Sequence, residues 1–167
     1  MVKILELYPN QINPNSLDKY GDTPIAISVM NNDINSLVKI CHLFPREMID
    51  INQSNKYGNN ALIYAASNGF VDIIDKLFEY FPQNLNIYQT NKLGHSALTI
   101  TIKNNHQKAL IRMFELFYDK ISINSIFYKG FTPLTYAITY SNSSLIETIH
   151  KLFFSQIDIN LYDNYGF

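Results

Sequence analysis

An all-α solenoid of stacked helix-turn-helix units, joined by short hairpin-like turns, is the fold class this sequence predicts. Three observations carry that reading. Gly21, Gly58, Gly94, Gly130 and Gly166 recur at intervals of 37, 36, 36 and 36 residues, and only Gly69 falls outside the series. Two residues after each of the first four glycines comes a small polar residue, then Pro or Ala, then an aliphatic: Thr23-Pro24-Ile25, Asn60-Ala61-Leu62, Ser96-Ala97-Leu98 and Thr132-Pro133-Leu134. Behind each of these lies a longer stretch whose apolar residues keep helical spacing. Self-similarity at a fixed period is the mark of a repeat architecture.

Each part of the repeat has a physical reading. Asp18-Lys19-Tyr20-Gly21, Asn55-Lys56-Tyr57-Gly58, Asn91-Lys92-Leu93-Gly94 and Asn164-Tyr165-Gly166 are variants of one turn. Glycine there supplies positive φ or a close backbone approach. The Thr, Asn or Ser that follows is a helix N-cap, and Pro beside it occupies the first helical position, where its missing N–H costs nothing. A short helix follows, such as Ala61 to Asn68. Asn32, Gly69, Asn105 and Ser141 mark its end in successive copies, and Gly and Asn tolerate a left-handed stop.

A second helix comes next. Its apolar positions are Ile34, Leu37, Ile40, Cys41 and Phe44, then Val71, Ile74, Leu77, Phe78 and Phe81, then Leu110, Met113, Phe114 and Phe117, then Ile146, Ile149 and Phe153. Spacings of three and four put them on one helix face. Pro45 and Pro82 stop the first two copies. Neither helix buries its apolar face alone, so successive units must stack.

The register divides the chain into a partial repeat at 1–17, four repeats at 18–54, 55–90, 91–126 and 127–162, and the opening of another at 163–167. Val2 to Pro9 aligns with a second helix, and no polar cap is visible at either end. The expectation is a window onto a longer array.

Composition narrows the function classes. Hydrophobic residues are 47% of the 167, enough for a core, and the formal charge is −1. That balance gives no general pull toward nucleic acid or anionic lipid. Cys41 is the only cysteine, so no internal disulfide forms and an intracellular setting, cytoplasmic or nuclear, is expected. No apolar run approaches the roughly 20 residues that cross a bilayer.

The segment Gly58-x-Asn60-Ala61-Leu62-x-x-Ala65-Ala66-x-x-Gly69 resembles the ankyrin repeat, and Gly130-Phe131-Thr132-Pro133-Leu134 and Gly21-Asp22-Thr23-Pro24-Ile25 are similar to its opening. Asn105-His106 stands at its Gly-His, and Asp50-Ile51-Asn52 and Asp158-Ile159-Asn160 at its Asp-Val-Asn. The resemblance covers nearly the whole chain. The family period is about 33. The extra residues follow the second helix, which implies a helix about one turn longer, carrying Phe44, Phe81, Phe117 and Phe153. The family's His after Thr-Pro-Leu is replaced by Ala26, Ile63, Thr99 and Thr135.

The resemblance implies a partner protein bound on the concave side, at the turn tips and the short first helices. The variable tip positions are Tyr20 and Asp22, Tyr57 and Asn59, Leu93 and His95, Lys129 and Phe131. The variable helix positions are Met30 and Asn31, Ser67 and Asn68, Lys103 and Asn104, Thr139 and Tyr140. Tyr57, Phe131 and Tyr140 are candidate anchors, because aromatics bury large area with little rotamer loss. The alternative is that they pack between neighbouring tips. Lys19, Lys56 and Lys92 recur at the tips as either a solvated ridge or a contact for phosphate or an acidic partner.

No catalytic constellation emerges. His42, His95, His106 and His150 fall in different copies, and clustered ligands are what a metal needs. Cys41 lies on an apolar stripe, so a buried thiol is expected. There is no glycine-rich phosphate loop and no acid pair poised for general acid–base work. The sequence therefore points to a non-enzymatic, cofactor-free protein-interaction module acting as adaptor, inhibitor or targeting scaffold. It is expected to be monomeric, with no nucleic-acid or membrane partner. A regulatory segment of a larger protein, and an assembly protein that self-stacks head to tail through its uncapped ends, are the other classes.

Overall fold

The computed structural model describes residues 13–126, 130–140 and 142–158. Among them are eight α-helices: α1 Pro24–Met30, α2 Ile34–Leu43, α3 Ala61–Asn68, α4 Val71–Tyr80, α5 Ala97–Lys103, α6 Gln107–Leu116, α7 Pro133–Thr139 and α8 Ser143–Phe153. Short and long helices alternate, as the repeat predicts. The helices fall into two compact units divided after His106, with α1 to α5 in the first and α6 to α8 in the second.

Local chemistry starts each short helix. Thr23, Asn60, Ser96 and Thr132 are its N-caps, and each side-chain oxygen accepts from a backbone N–H three residues on. In α5 and α7 the cap is reciprocal: Thr99 and Thr135 return a side-chain oxygen to the backbone N–H of Ser96 and Thr132. Two of the residues that replace the family's histidine thus complete a capping box. The stops are also local. Asn32, Gly69 and Asn105 all have positive φ, at 52°, 68° and 57°. Ser141 and Gly166 lie outside the described residues.

In the first unit, α1 packs on α3 and α3 on α5, while α2 packs on α4. The inner short helices are kept slim. Ser28, Ala65 and Thr101 occupy one repeat position and are buried, so helices can approach closely there. The two hydroxyls among them donate to carbonyls of their own helices, Ser28 to Ile25 and Thr101 to Ala97, both at 2.7 Å. Neither of these buried hydroxyls is left without an acceptor. In the second unit α8 packs on both α6 and α7, and Phe114 meets Phe153 edge-on at 5.9 Å.

The expectation of a longer second helix needs correcting. Helices α2, α4 and α6 end before Phe44, Phe81 and Phe117. Phe44 and Phe81 take non-helical C-cap conformations. All three rings are buried. A turn follows each, a 3-10 turn at Arg46–Met48 in the first copy. Burying an aromatic outweighs extending an exposed helix by a turn, so the chain leaves the helix to turn each ring inward. Only Phe153 is helical, as the last residue of α8.

Candidate partner-binding face

The turns of the first unit are built by one device. Asp18, Asn55 and Asn91 sit three residues before their glycines. Each side-chain oxygen accepts two backbone N–H groups of its own turn: Tyr20 and Asp22 at 2.8 and 2.9 Å, Tyr57 and Asn59 at 2.9 and 3.0 Å, Leu93 and His95 both at 3.0 Å. The turn then closes with positive φ at Gly21, Gly58 and Gly94. The Asp18 carboxyl is held below the usual carboxylate range, chiefly by the Asp22 N–H.

The three turns are also tied to each other. Lys56 N–H donates to Tyr20 O at 3.0 Å, and Lys92 N–H to Tyr57 O at 2.9 Å. Side-chain amides run in parallel: Asn55 Nδ2 donates to Asp22 Oδ1 at 2.9 Å and Asn91 Nδ2 to Asn59 Oδ1 at 3.0 Å. The Tyr64 hydroxyl accepts from Asn55 and donates to Asp22. Burial, and then the Asp22 charge, push the Tyr64 phenol up to about 12. A side chain presented on this row stands on rigid backbone.

Outward from the row stand the large side chains. Tyr57 is 54% exposed and Leu93 77%, and Tyr20 and Met30 are also open. Lys56 Nζ lies 4.3 Å from the centre of the Tyr20 ring and 5.1 Å from that of Tyr57, and Lys19 Nζ lies 4.8 Å from the Tyr20 centre. Lys103 Nζ meets His95 Nε2 at 3.1 Å. An ammonium only donates, so Nε2 is the acceptor. Burial, followed by this cation, pulls the His95 pKa down. Asn31, Asn68 and Asn104 are exposed at the helix ends, and Asn68 donates to Tyr64 O.

Several of the expected contact residues also serve the scaffold. Asp22 is only 4% exposed, with its carboxylate engaged by Asn55 and Tyr64, so it links turns and offers nothing to a partner. Asn59 is half-buried and gives its amide oxygen to Asn91. The Ser67 carbonyl accepts from Asn104 and from His106. His106 must carry its proton on Nε2 for that bond, and its ring fills the space beside Gly69, where an added Cβ would lie 2.7 Å away. The second unit carries a smaller set: Phe131 packs edge-on against Tyr136 and Tyr140, with Tyr140 and Thr139 exposed. Phe131 is half-buried against two rings of its own repeat, while Tyr140 is exposed. Lys129 lies outside the described residues.

One set of contacts was not expected from the sequence. Asn15, Asn52 and Asn124 each brace the next repeat with both ends of the amide. Their oxygens accept from the N–H of Asp50, Asn86 and Asp158, and their nitrogens donate to the carbonyls of Met48, Asn84 and Gln156. The signal was present, since each asparagine stands six residues before a repeat glycine. Cys41 is buried, which pushes its thiol up to about 12, and His42 bonds the Tyr80 hydroxyl at 2.9 Å. Among the described residues no group of three His, Cys, Asp or Glu could hold a metal ion, and no helix is long and apolar enough to cross a membrane.

A family model described as ankyrin repeats in three copies matches residues 1–88. No curated protein matches by sequence. Among solved structures, an ankyrin repeat domain from Acinetobacter baumannii superposes with a TM-score of 0.69 at 21% identity, over 90% of this chain and 75% of its own. The ankyrin repeat domain of Bcl-3, a member of the IkappaB family, reaches 0.73 at 19% identity, over 100% and 70%. A chain in the complex of yeast ribosomal protein Rps3 with its chaperone Yar1 reaches 0.57 at 20% identity, over 68% and 83%. At these identities the likeness is one of fold.

Proposed function

We propose, from the premise that the chain belongs to the ankyrin repeat family, that it is a non-enzymatic recognition module holding a partner protein on its turn tips and short helices. Fold does not give function, so the reading rests on the site. One observation carries it: Tyr20, Tyr57 and Leu93 stand open on backbone that hydrogen bonds lock from turn to turn. Large exposed side chains on a rigid frame lose little entropy on binding, which is what interface hot spots require. The Rps3–Yar1 complex is a precedent for a protein partner on this fold. An intracellular setting suits the single buried thiol.

The test is a photo-crosslinking residue at position 57 in the cell of origin, with one at the exposed Glu79 of α4 as control. A protein captured from position 57 and not from position 79 is the expected result. Capture from both alike, or from neither, would remove the tip face from consideration.

A second reading, self-association through the ends, draws on Ile138. It is 58% exposed, while its counterparts Val29, Ala66 and Ile102 are all buried. Val29 lies on α1 and Ala66 on α3, helices covered by α3 and α5 in turn. Light scattering across concentration, with Ile138→Lys as comparison, separates this reading from a monomeric module.

A further inference from the structure

The tip face proposed above has a sign. Its turns and short helices in the first unit carry Lys19, Lys56, Lys92 and Lys103 against two carboxylates, Asp18 and Asp22. Only one of these carboxylates is turned inward: Asp22 is buried between Asn55 and Tyr64, while Asp18 is exposed and gives one oxygen to the N–H groups of its own turn. The four lysines outnumber the one exposed carboxylate, Asp18, which lies near Lys19, and none of them forms an ion pair among the described residues. The other acids of this unit, among them Asp33, Glu47, Asp50, Asp72, Asp75 and Glu79, lie on the long helices and the turns behind them. The outward charge of the face is therefore positive although the whole chain is slightly negative.

We infer that the partner segment this face takes is an acidic stretch of protein, rich in Asp or Glu, laid along the tips at 18–22, 55–59 and 91–95; the inference rests on the face reading above. Lys56 links the first two tips. Its ammonium bridges two exposed tyrosine rings, at 4.3 Å from Tyr20 and 5.1 Å from Tyr57, and Lys19 stands 4.8 Å from the first of them. A ring holds a cation in place without cancelling its charge. The ammoniums are thus pre-positioned and still open to a carboxylate, and the tyrosine hydroxyls add neutral donors beside them. At the third turn exposed Leu93 supplies an apolar contact, and Lys103, donating to His95 Nε2, a further positive group.

A nucleic acid fits less well. Affinity for a phosphate backbone scales with the number of phosphates neutralised, and four lysines on a chain of net charge −1 are few. Two ammoniums also stand over the Tyr20 ring, where a base would have to stack.

The test uses the full chain, labelled with 15N, titrated with four probes. These are a glutamate-rich dodecapeptide, its lysine-for-glutamate counterpart, a neutral serine counterpart, and a thymidine oligonucleotide of the same length. The glutamate peptide alone is expected to shift the amides of 18–22, 55–59 and 91–95. Lys56→Glu should weaken that binding about tenfold or more, and salt should weaken it too. Lys56→Gln, an exposed neutral change, should weaken it less and controls for folding. No shift, shifts elsewhere, or equal shifts from the oligonucleotide overturn the inference. The two readings also fail separately. If the protein crosslinked from position 57 binds Lys56→Glu as well as it binds the parent, the acidic partner falls and the face stands. If position 57 captures nothing, the face itself falls.

Discussion

The second and third turns, 55–59 and 91–95, look alike from the inside and differ from the outside. Each hangs two backbone N–H groups on an asparagine, and each closes at a glycine with nearly the same φ, 81° at Gly58 and 76° at Gly94. Yet a Cβ on Gly58 would lie 2.8 Å from both Asn91 Cα and Lys92 N, while one on Gly94 meets nothing within 4 Å among the described residues. The same residue answers two demands. At Gly94 the positive φ is the demand seen among the described residues. At Gly58 glycine is needed for its dihedral and because the next turn is clasped against it.

Replacing each glycine by alanine is the strongest way to break the comparison. Positive φ costs an alanine about 1 kcal/mol at either site. Gly58→Ala must also push backbone apart, adding roughly 2 kcal/mol or more. Urea unfolding should therefore show a loss of about 3 kcal/mol for Gly58→Ala, of which only about 1 is the cost of the dihedral. A loss of only about 1 kcal/mol would mean that the turn-to-turn contact is not rigid.

The asparagines sharpen the contrast. Asn55→Ala removes the amide that faces the buried Asp22 carboxylate and the Tyr64 hydroxyl, and should destabilise by about 2–3 kcal/mol. Asn91→Ala, whose amide meets the half-buried Asn59, should lose about 1–2 kcal/mol by the same chemical-denaturation assay. Tyr64→Phe is expected to lose about 1 kcal/mol, because Asp22 keeps its bond from Asn55.

The smallest effects are in pH. The Tyr64 phenol is raised to about 12 in the folded chain. Its contribution is present below the unfolded value of about 10 and is lost as pH rises from there through the folded one. The parent should lose stability over that alkaline window more than Tyr64→Phe does. Asp18 runs the other way. Its folded pKa is lowered, so its contribution is present above the unfolded value of about 3.9 and is lost as pH falls through the folded one. Asp18→Asn, which copies what the second and third turns already have, should flatten the acid limb of the stability profile.

The repeat was legible because its parts act within a few residues. A glycine that needs positive φ, a Thr or Asn that caps the helix beginning next to it, and an Asn32 or Asn105 that stops the same helix all declare themselves locally. Phe44, Phe81 and Phe117 did not. Their spacing matched a longer helix, and only the presence of an interior to turn toward took them out of it. Asp22 misled for a related reason: a carboxylate at a turn tip normally faces water, and nothing near it in the chain announces Asn55 and Tyr64.

By itself, then, the sequence determined the turn, the cap, the stop and the period, together with the all-helical class, because dihedral preference and nearby hydrogen bonds decide those. Tertiary structure alone decided which tip residues face outward, that Gly58 is clasped by the turn of the next repeat, and that Lys56 spans the rings of Tyr20 and Tyr57. Such outcomes depend on what a neighbouring repeat brings alongside, one period away in sequence and in contact only after folding.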